Sequence, residues 1–427
     1  MHRLASVPGG TAAADWGALV EQPPAPVLLL SSADTDLLAI DQLLAQEPQL
    51  LGAELRGLNL SALGHPAQID HYLSSTVRHA QLVVVRLLGG RGHWSYGLER
   101  LQDWARSQPG RQLLVLAGTP EEEDGLARLG SVDPALAVAL AHCLREGGPA
   151  NLRHLLGSLR ALLHGDHPAP PTPEPLADPL PHDWREERGP RIGLIAYRAL
   201  LQAGDLALME ASLAALRREG LCPRALWVSG LRDGAVQQGV ADLLGREQVQ
   251  AVLCSTSFAS VQFEEAGLGA PLWEQLGVPV FQLLCSSQPR SQWQESSIGL
   301  GPTDLTLQVA LPELDGRITT RVGAFKELVG ADGRLATGLH RYEPDRERLG
   351  WIAELAGGWA DLRRTPAAQR RLALVLANYP TRNARLANGV GLDTPASAAA
   401  MLGWLAEAGY DLGEGALPAT GDALIQR

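Results

Sequence analysis

Arg191-Ile-Gly-Leu-Ile-Ala196 (RIGLIA) is a short apolar run of the length of a buried β-strand. A helical pattern follows at 205–219, then a strand at 223–228, a helix at 234–245 and a strand at 251–254. Strands that alternate with helices predict a parallel sheet with helices on its faces. This stretch therefore predicts the α/β fold class.

The same alternation extends outward on both sides. Further predicted strands lie at 26–30, 81–87, 111–116 and 278–284, and further predicted helices at 34–46, 134–145 and 151–163. Between the two runs, residues 165–190 hold eight prolines. Proline has no amide donor and a fixed φ, so this segment predicts a stiff extended connector. We expect two doubly wound parallel-sheet units joined by a proline-rich linker.

The part of the chain after about residue 341 predicts a further α/β domain. A helix is expected at about 343–362, and the apolar run 371–377 predicts a buried strand. Asp393-Thr394-Pro395 then predicts a helix start, because a capping side chain precedes a proline at a first helical position. The last residues resemble the beginning of another helix, so we expect this domain to be truncated. The predicted division is 1–164, 165–190, 191–340 and 341–427.

Composition excludes some classes of function. The chain has 427 residues and a net charge of −11, whereas a nucleic-acid partner requires a clustered basic face. Lys326 is the only lysine and no glycine-rich run precedes it, so a Walker-type ATP site is excluded. No apolar run reaches bilayer length. We expect a cytoplasmic protein that binds no nucleic acid and has no membrane span.

Two groups of residues leave metal binding open. Cys254 and Cys285 each end a predicted strand, and the four cysteines contain no CxxC pair. Such cysteines are typical of buried thiols in a reducing compartment, with a soft metal site as the alternative. His164-Gly-Asp-His167 has metal-ligand spacing but lies beside the proline-rich linker, where solvated side chains are the simpler interpretation.

Candidate ligand-binding residues follow the predicted strands, because α/β sheets bind ligands at the carboxyl ends of their strands. Arginines there could pair with carboxylates, and aromatic side chains could cover a flat conjugated ring. The alternatives are an ordinary surface loop at 378–397 and a buried helix face that includes Trp94. The candidates are Arg91, His93, Trp94, Tyr96, Ser257, Ser286, Asn378, Tyr379, Arg382, Arg385, Asn388 and Thr394.

Several segments also resemble a known family in the right order. They are RLLGGRGHWSYGLER at 86–100, GVPVFQ at 277–282, LGPTDL at 300–305, VALPELDGRI at 309–318 and NYPTRNARLANGVGLDTPAS at 378–397. They resemble the large subunit of the aerobic, ATP-dependent cobaltochelatase (CobN), a relative of the porphyrin-binding subunit of magnesium chelatase. His93 and Ser95 depart from the tyrosine and proline expected there.

The resemblance implies a function. The expected protein is the amino-terminal, corrin-binding part of a subunit that inserts Co²⁺ into hydrogenobyrinic acid a,c-diamide in cobalamin biosynthesis. Co²⁺ is then a substrate, and ATP and Mg²⁺ bind partner subunits, CobS and CobT, rather than this chain. We expect this chain alone to be inactive and assign no catalytic residue within it. The alternatives are a non-catalytic tetrapyrrole-binding scaffold and the magnesium chelatase paralogue that acts on protoporphyrin IX.

Overall fold

The structure is a computed structural model that describes residues 19–120, 123–264, 267–330, 333–377, 389 and 391–427. Contacts between residues divide the chain into two compact units, Met1–Ala356 and Gly357–Arg427. Within the described ranges, no helix is both long and apolar enough to cross a membrane.

The first unit begins with a four-stranded parallel sheet, here called sheet A. Its strands are β1 (Val27–Ser31), β2 (Leu55–Asn59), β3 (Leu82–Leu87) and β4 (Gln112–Ala117), in the order β2-β1-β3-β4. The associated helices are α1 (Asp34–Gln46), α2 (Pro66–Ser75), α3 (Ser95–Arg106), α4 (Glu123–Ala127), α5 (Pro134–Glu146) and α6 (Gly148–Leu163). Alternate residues of the strands enter two separate apolar clusters, one on each face of the sheet. Sheet A is therefore doubly wound, as the sequence predicts.

The first unit continues with a seven-stranded sheet, here called sheet B. Its strands are β5 (Leu180–His182), β6 (Arg191–Tyr197), β7 (Cys222–Val228), β8 (Ala251–Cys254), β11 (Val280–Ser286), β12 (Ile318–Val329) and β13 (Leu339–Pro344). The order is β13-β12-β11-β8-β6-β7-β5, and a separate hairpin pairs β9 (Gln262–Glu264) with β10 (Gly267–Gly269). The helices are α7 (Arg198–Gln202), α8 (Ala207–Arg218), α9 (Gly234–Arg246), α10 (Pro271–Leu276), α11 (Arg290–Glu295), α12 (Pro302–Leu305), α13 (Leu311–Glu313) and α14 (Arg346–Arg364).

Sheet B is mixed, whereas the sequence predicts a parallel sheet. Its five inner strands are parallel, but the edge strands β5 and β13 are antiparallel to their neighbours. Strand β5 lies in the proline-rich segment, at an edge where proline's missing donor is tolerated. The α/β fold class is confirmed.

The only lysine of the chain joins the two sheets of this unit. Lys326 on β12 forms an ion pair with Asp34, the first residue of α1, and both side chains are nearly buried. The backbone N–H of Gly57 also donates to the carbonyl of Leu335 at 2.9 Å. Because sheet A and sheet B share these contacts, they belong to one compact unit; the four-part division predicted from the sequence remains a prediction.

The second unit contains α15 (Thr394–Glu407) and α16 (Gly421–Ile425), together with the last part of α14. The predicted strand at 371–377 is wrong: these residues have no strand structure, and Val375 is 88% exposed. A strand is stable only when a neighbouring strand satisfies its backbone groups. Among the described residues of this unit, the β-pairing is an isolated bridge between Gly389 and Leu392. An apolar run without a pairing strand therefore remains irregular.

Candidate functional site

A buried ionic group lies where the strand order of sheet A reverses, between β1 and β3. Arg86, at the end of β3, forms an ion pair with Asp36 of α1, and the hydroxyl of Ser31 donates to the same carboxylate at 2.5 Å. Both charged residues are 7% exposed. The crevice at such a reversal is where open α/β sheets bind ligands, but here its charges neutralise each other. The contacts of this ionic group therefore fix α1 against the carboxyl ends of β1 and β3.

The loop that follows β3 carries two of the predicted residues, Arg91 and His93. Gly89 and Gly90 have φ values of 97° and 79°, and a Cβ on Gly89 would lie 2.4 Å from the His93 ring. The loop therefore needs glycine to hold His93 against its backbone. Arg91 lies 3.8 Å from Glu99, and both side chains are more than half exposed.

A cavity of about 540 Å³ opens beside this loop. It is lined by Arg91, Pro120, Glu123, Asp124, Gly125, Leu126 and Leu129. Its volume lies in the range of small-molecule sites. Arg91 and Asp124 give it opposite charges, while Glu123 is paired with Arg145 at 2.7 Å. The carboxylate of Asp124 opposes a ligand edged only with carboxylates, so this cavity is not the best fit for such a ligand.

The side chains of Trp94 and Tyr96 both form hydrogen bonds within the protein. Trp94 is 9% exposed, belongs to an apolar cluster, and donates from Nε1 to the carbonyl of Leu63 at 3.0 Å. This is the alternative considered from the sequence, a buried helix face. Tyr96 donates to Asp70 at 2.8 Å, and this hydrogen bond raises the pKa of Tyr96. Ligand contact by these two residues remains a prediction, and the contacts seen here hold the start of α3.

The predicted serines of sheet B lie at the ends of neighbouring strands. Ser257 follows β8, and its carbonyl accepts a hydrogen bond of 3.0 Å from the hydroxyl of Tyr197 at the end of β6. Ser286 ends β11 and is fully buried, with its hydroxyl accepting from the N–H of Gln288 at 3.1 Å. Ser257 is thus placed at the reversal of strand order between β6 and β8. Ser286 instead stabilises the turn that follows β11.

An ion pair beneath this edge holds the loop after β8. Arg317 and Asp315 are 2.6 Å apart, and neither side chain is exposed. The guanidinium also donates to the carbonyl of Thr256 at 3.0 Å, while the carboxylate accepts from the N–H groups of Ser260 and Val261. The bonds to Thr256, Ser260 and Val261 tie the loop to the segment before β12, and Arg317 also donates to the side chain of Gln282 on β11 at 3.0 Å. The pair therefore positions Ser257.

Another group of buried acids lies between β11 and β13. Asp304 accepts from the N–H of Ser287 at 2.7 Å, and Asp205 accepts from the N–H of Tyr342 at 3.0 Å. Burial raises the pKa of both carboxyl groups, because removing water disfavours the charged form. Burial likewise raises the pKa of the Cys285 thiol, which is therefore not an activated thiolate.

The remaining candidates lie in the second unit. Thr394 opens α15 directly after its cap, Asp393, whose carboxylate accepts from the N–H of Ala396 at 3.0 Å. This confirms the predicted helix start. Asn378, Tyr379, Arg382, Arg385 and Asn388 lie outside the described residues.

No three His, Cys, Asp or Glu side chains in the described ranges are placed to hold a metal ion. Cys254 and Cys285 are free and buried, and Cys254 pairs in register with Gln282 rather than with Cys285.

Comparison with known proteins identifies the family. A family model described as CobN/Magnesium Chelatase matches residues 141–427. The chain belongs to the CobN/magnesium chelatase family. It is 36% identical over 444 residues to the aerobic cobaltochelatase subunit CobN of Pseudomonas aeruginosa, covering 100% of this chain and 35% of that protein. The corresponding protein of Sinorhizobium sp. is 36% identical over 446 residues, with 100% and 34% covered.

Other relatives of the chain are named as magnesium-chelatase subunits. The chloroplastic magnesium-chelatase subunit ChlH of rice is 30% identical over 252 residues, covering 57% of this chain and 17% of that protein. Among solved structures, the catalytic subunit of cobaltochelatase from Mycobacterium tuberculosis matches with a TM-score of 0.60 and 29% identity, covering 95% of this chain and 33% of that one. The chain thus spans about a third of the length of the cobaltochelatase relatives it matches.

Sequence reasoning missed the two buried ion pairs that shape these edges. Arg86 could have been noticed, because it is a charged residue within an otherwise apolar predicted strand. Asp315 and Arg317 lie within a segment that resembles the family, VALPELDGRI, and are close in sequence, but the loop that they hold is distant: Ser260 is 55 residues from Asp315. Pairings of that kind are visible only in the folded chain.

Proposed function

We propose that this chain is a corrin-binding part of a cobaltochelatase large subunit. In this proposal the complete enzyme inserts Co²⁺ into hydrogenobyrinic acid a,c-diamide, and the CobS and CobT subunits hydrolyse ATP with Mg²⁺. The observation that carries the proposal is 36% identity to two cobaltochelatase subunits across the whole chain. The rice magnesium-chelatase subunit aligns with 57% of the chain at 30% identity, which favours cobalt chelation over its paralogue.

The physical role assigned to the chain is to hold the ring. Metal insertion requires the metal to lose water and the ring to deform and lose protons, so a rigid holder for the ring lowers the barrier. The carboxyl edges of sheets A and B in the first unit offer such a rigid frame. The catalytic groups and the ATP site are assigned to parts of the enzyme outside this chain.

A chimaeric subunit tests this proposal. The third of the Pseudomonas aeruginosa CobN subunit that aligns with this chain is replaced by the 427 residues. With CobS, CobT, ATP and Mg²⁺, we expect the chimaera to insert cobalt into hydrogenobyrinic acid a,c-diamide, followed by the change in corrin absorbance. The same subunit without the exchanged third is the control and should be inactive.

Two outcomes contradict the proposal. A folded chimaera that inserts magnesium into protoporphyrin IX but no cobalt into the corrin supports the magnesium chelatase paralogue. Binding of both rings without any metal insertion, in a chimaera that assembles with its ATPase partners, supports a non-catalytic tetrapyrrole-binding scaffold.

A further inference from the structure

Three arginines and three aromatic side chains meet beside β12 in the first unit. This arginine–aromatic cluster consists of Arg290 and Trp293 of α11, Arg321 and Phe325 of β12, and Arg348 and Trp351 of α14. None of the three arginines was a candidate from the sequence, because they lie in three different elements. The cluster begins directly after β11, whose carboxyl end is part of the edge described above.

Each guanidinium in the cluster lies over an aromatic ring. The Cζ atom of Arg321 is 4.1 Å from the centroid of Trp351, and that of Arg348 is 4.9 Å from the centroid of Trp293. The Trp293 ring in turn packs at 5.2 Å against Phe325. A guanidinium whose flat face is stacked keeps its N–H donors at the edge, in a fixed fork that matches a carboxylate. The rings therefore orient the donors in advance.

The protein uses only part of this donor capacity. Arg290 forms an ion pair of 3.0 Å with Asp345, and Arg348 donates from Nε to the carbonyl of Val322 at 2.7 Å. Across the described part of the chain, no carboxylate lies within salt-bridge distance of the guanidinium of Arg321 or Arg348. These two arginines are half-buried. Arg321 and Arg348 are therefore held near each other without a directly bonded carboxylate, and an anionic ligand that bonds to both would offset the cost of their repulsion.

The charges in the cluster also act on one another. Burial lowers the pKa of Arg348; the carboxylate of Asp345 opposes this shift, whereas Arg321 and Arg290 add to it. Glu347, the residue before Arg348, is the other carboxylate that acts on it. Arg348 bonds to the backbone of Val322, the residue after Arg321, and the ring beneath Arg321 belongs to Trp351, three residues after Arg348 on α14. The two side chains are therefore neighbours, and one ligand with several carboxylates can meet both.

We infer that the arginine–aromatic cluster binds the carboxylate arms of the tetrapyrrole. The inference rests on the proposed function, since it assigns one edge of the same ligand. A rigid macrocycle carries several carboxylates at fixed spacing, so one molecule can engage Arg321 and Arg348 together. Paired charge-assisted contacts of this kind give both affinity and orientation. The ring would thus be held by its rim beside β12 of sheet B.

The test is a fluorescence titration of the full chain with two water-soluble porphyrins. Uroporphyrin is edged with carboxylates, and the second probe is a porphyrin edged with cationic pyridinium groups. We expect the wild type to bind uroporphyrin, with affinity falling as salt is raised, and to bind the cationic ring far more weakly. Arg321→Gln and Arg348→Gln should each weaken uroporphyrin binding by about tenfold or more.

Two further variants keep the test decisive. Arg346→Gln is the matched control, because Arg346 is an exposed arginine on the same helix and should bind as the wild type does. Arg321→Lys keeps the charge but loses the stacked fork, and should be intermediate between wild type and Arg321→Gln. The free protein should lose little stability in Arg321→Gln, whereas stabilisation by uroporphyrin in a thermal melt should disappear.

The outcomes separate this inference from the proposed function. If uroporphyrin binds the wild type and all four variants equally, the cluster is not the site, while ring binding itself stands. If a poly-glutamate peptide binds more tightly than uroporphyrin and depends on Arg321 and Arg348, the surface serves an acidic protein partner and the ligand assigned here is wrong. If neither the peptide nor uroporphyrin binds, the anion site is refuted.

Discussion

Replacing Arg317 by methionine should destabilise the first unit and release the loop after β8. The change removes a guanidinium that contacts Asp315 at 2.6 Å and the carbonyl of Thr256 at 3.0 Å, in a site with no exposed side-chain surface. Breaking a buried ion pair by removing one partner costs about 3–5 kcal/mol. Asp315 keeps its bonds from the backbone of Ser260 and Val261, at 2.8–2.9 Å, so we expect the lower end, about 3 kcal/mol.

Two measurements check this prediction. Urea denaturation followed by circular dichroism should show an earlier transition for Arg317→Met. Hydrogen exchange should show faster exchange of the Ser260 and Val261 amides, because these amides donate to Asp315. Arg106→Met is the control, since Arg106 contacts Asp103 at 3.6 Å with both side chains well exposed, and it should leave both measurements unchanged.

A double variant distinguishes charge from packing. Asp315→Asn combined with Arg317→Met removes both charges, so its cost should be smaller than the sum of the two single changes by about 1–3 kcal/mol. If Arg317→Met leaves the denaturation transition and the two amides as they are in the wild type, the pair does not hold the loop. Additive costs would show that the two side chains act independently.

Further predictions concern titration, ligand contacts and nucleotide. Burial raises the pKa of Asp304, so the folded protein keeps that proton after the unfolded chain has lost it. Between the ordinary aspartate pKa, about 3.9, and the raised value, the free energy of unfolding should fall as pH rises. Urea denaturation across that range should show a smaller fall in Asp304→Asn than in the wild type, because the pKa of Asp205 is also raised and its contribution remains. Replacing Arg91, Arg382 or Arg385 by alanine should weaken corrin binding by about tenfold or more if each meets an acid arm, and three unchanged titration curves would refute that assignment. Because Lys326 is the only lysine and is paired with Asp34, the chain should neither hydrolyse ATP nor bind it in a Walker-type site. Calorimetric detection of micromolar, Mg²⁺-dependent ATP binding would contradict this division of labour.

The sequence predicts those elements whose pattern is local. The buried strands β1, β3, β6, β8 and β11 are short apolar runs between helical patterns, and each is found within one or two residues of its predicted bounds. Strand β12 was missed because its sequence, ITTRVGAFKELV, mixes charged and apolar residues and contains no continuous apolar run. The run 371–377 was overpredicted because apolar composition says nothing about whether a pairing strand exists.

The candidate site shows the same limit. Glycine and polar residues after an apolar run predict a loop, and Arg91 and Ser257 do lie in the segments that follow β3 and β8. Whether they contact a ligand stays a prediction. Whether a side chain faces a ligand or the core depends on contacts across the fold, which is why the burial of Trp94 and Ser286 emerged only from the structure. The arginine–aromatic cluster combines three elements, so no local pattern could have predicted it.

Equilibrium binding of the corrin ring is the direct test of the proposal that this chain binds the substrate of a cobaltochelatase. The 427-residue chain is titrated with hydrogenobyrinic acid a,c-diamide and, separately, with protoporphyrin IX, each followed by quenching of tryptophan fluorescence. We expect saturable binding of the corrin at least about tenfold tighter than that of protoporphyrin IX, a difference of about 1.4 kcal/mol. Equal or tighter binding of protoporphyrin IX, or no saturable binding of the corrin by the folded chain, would contradict it.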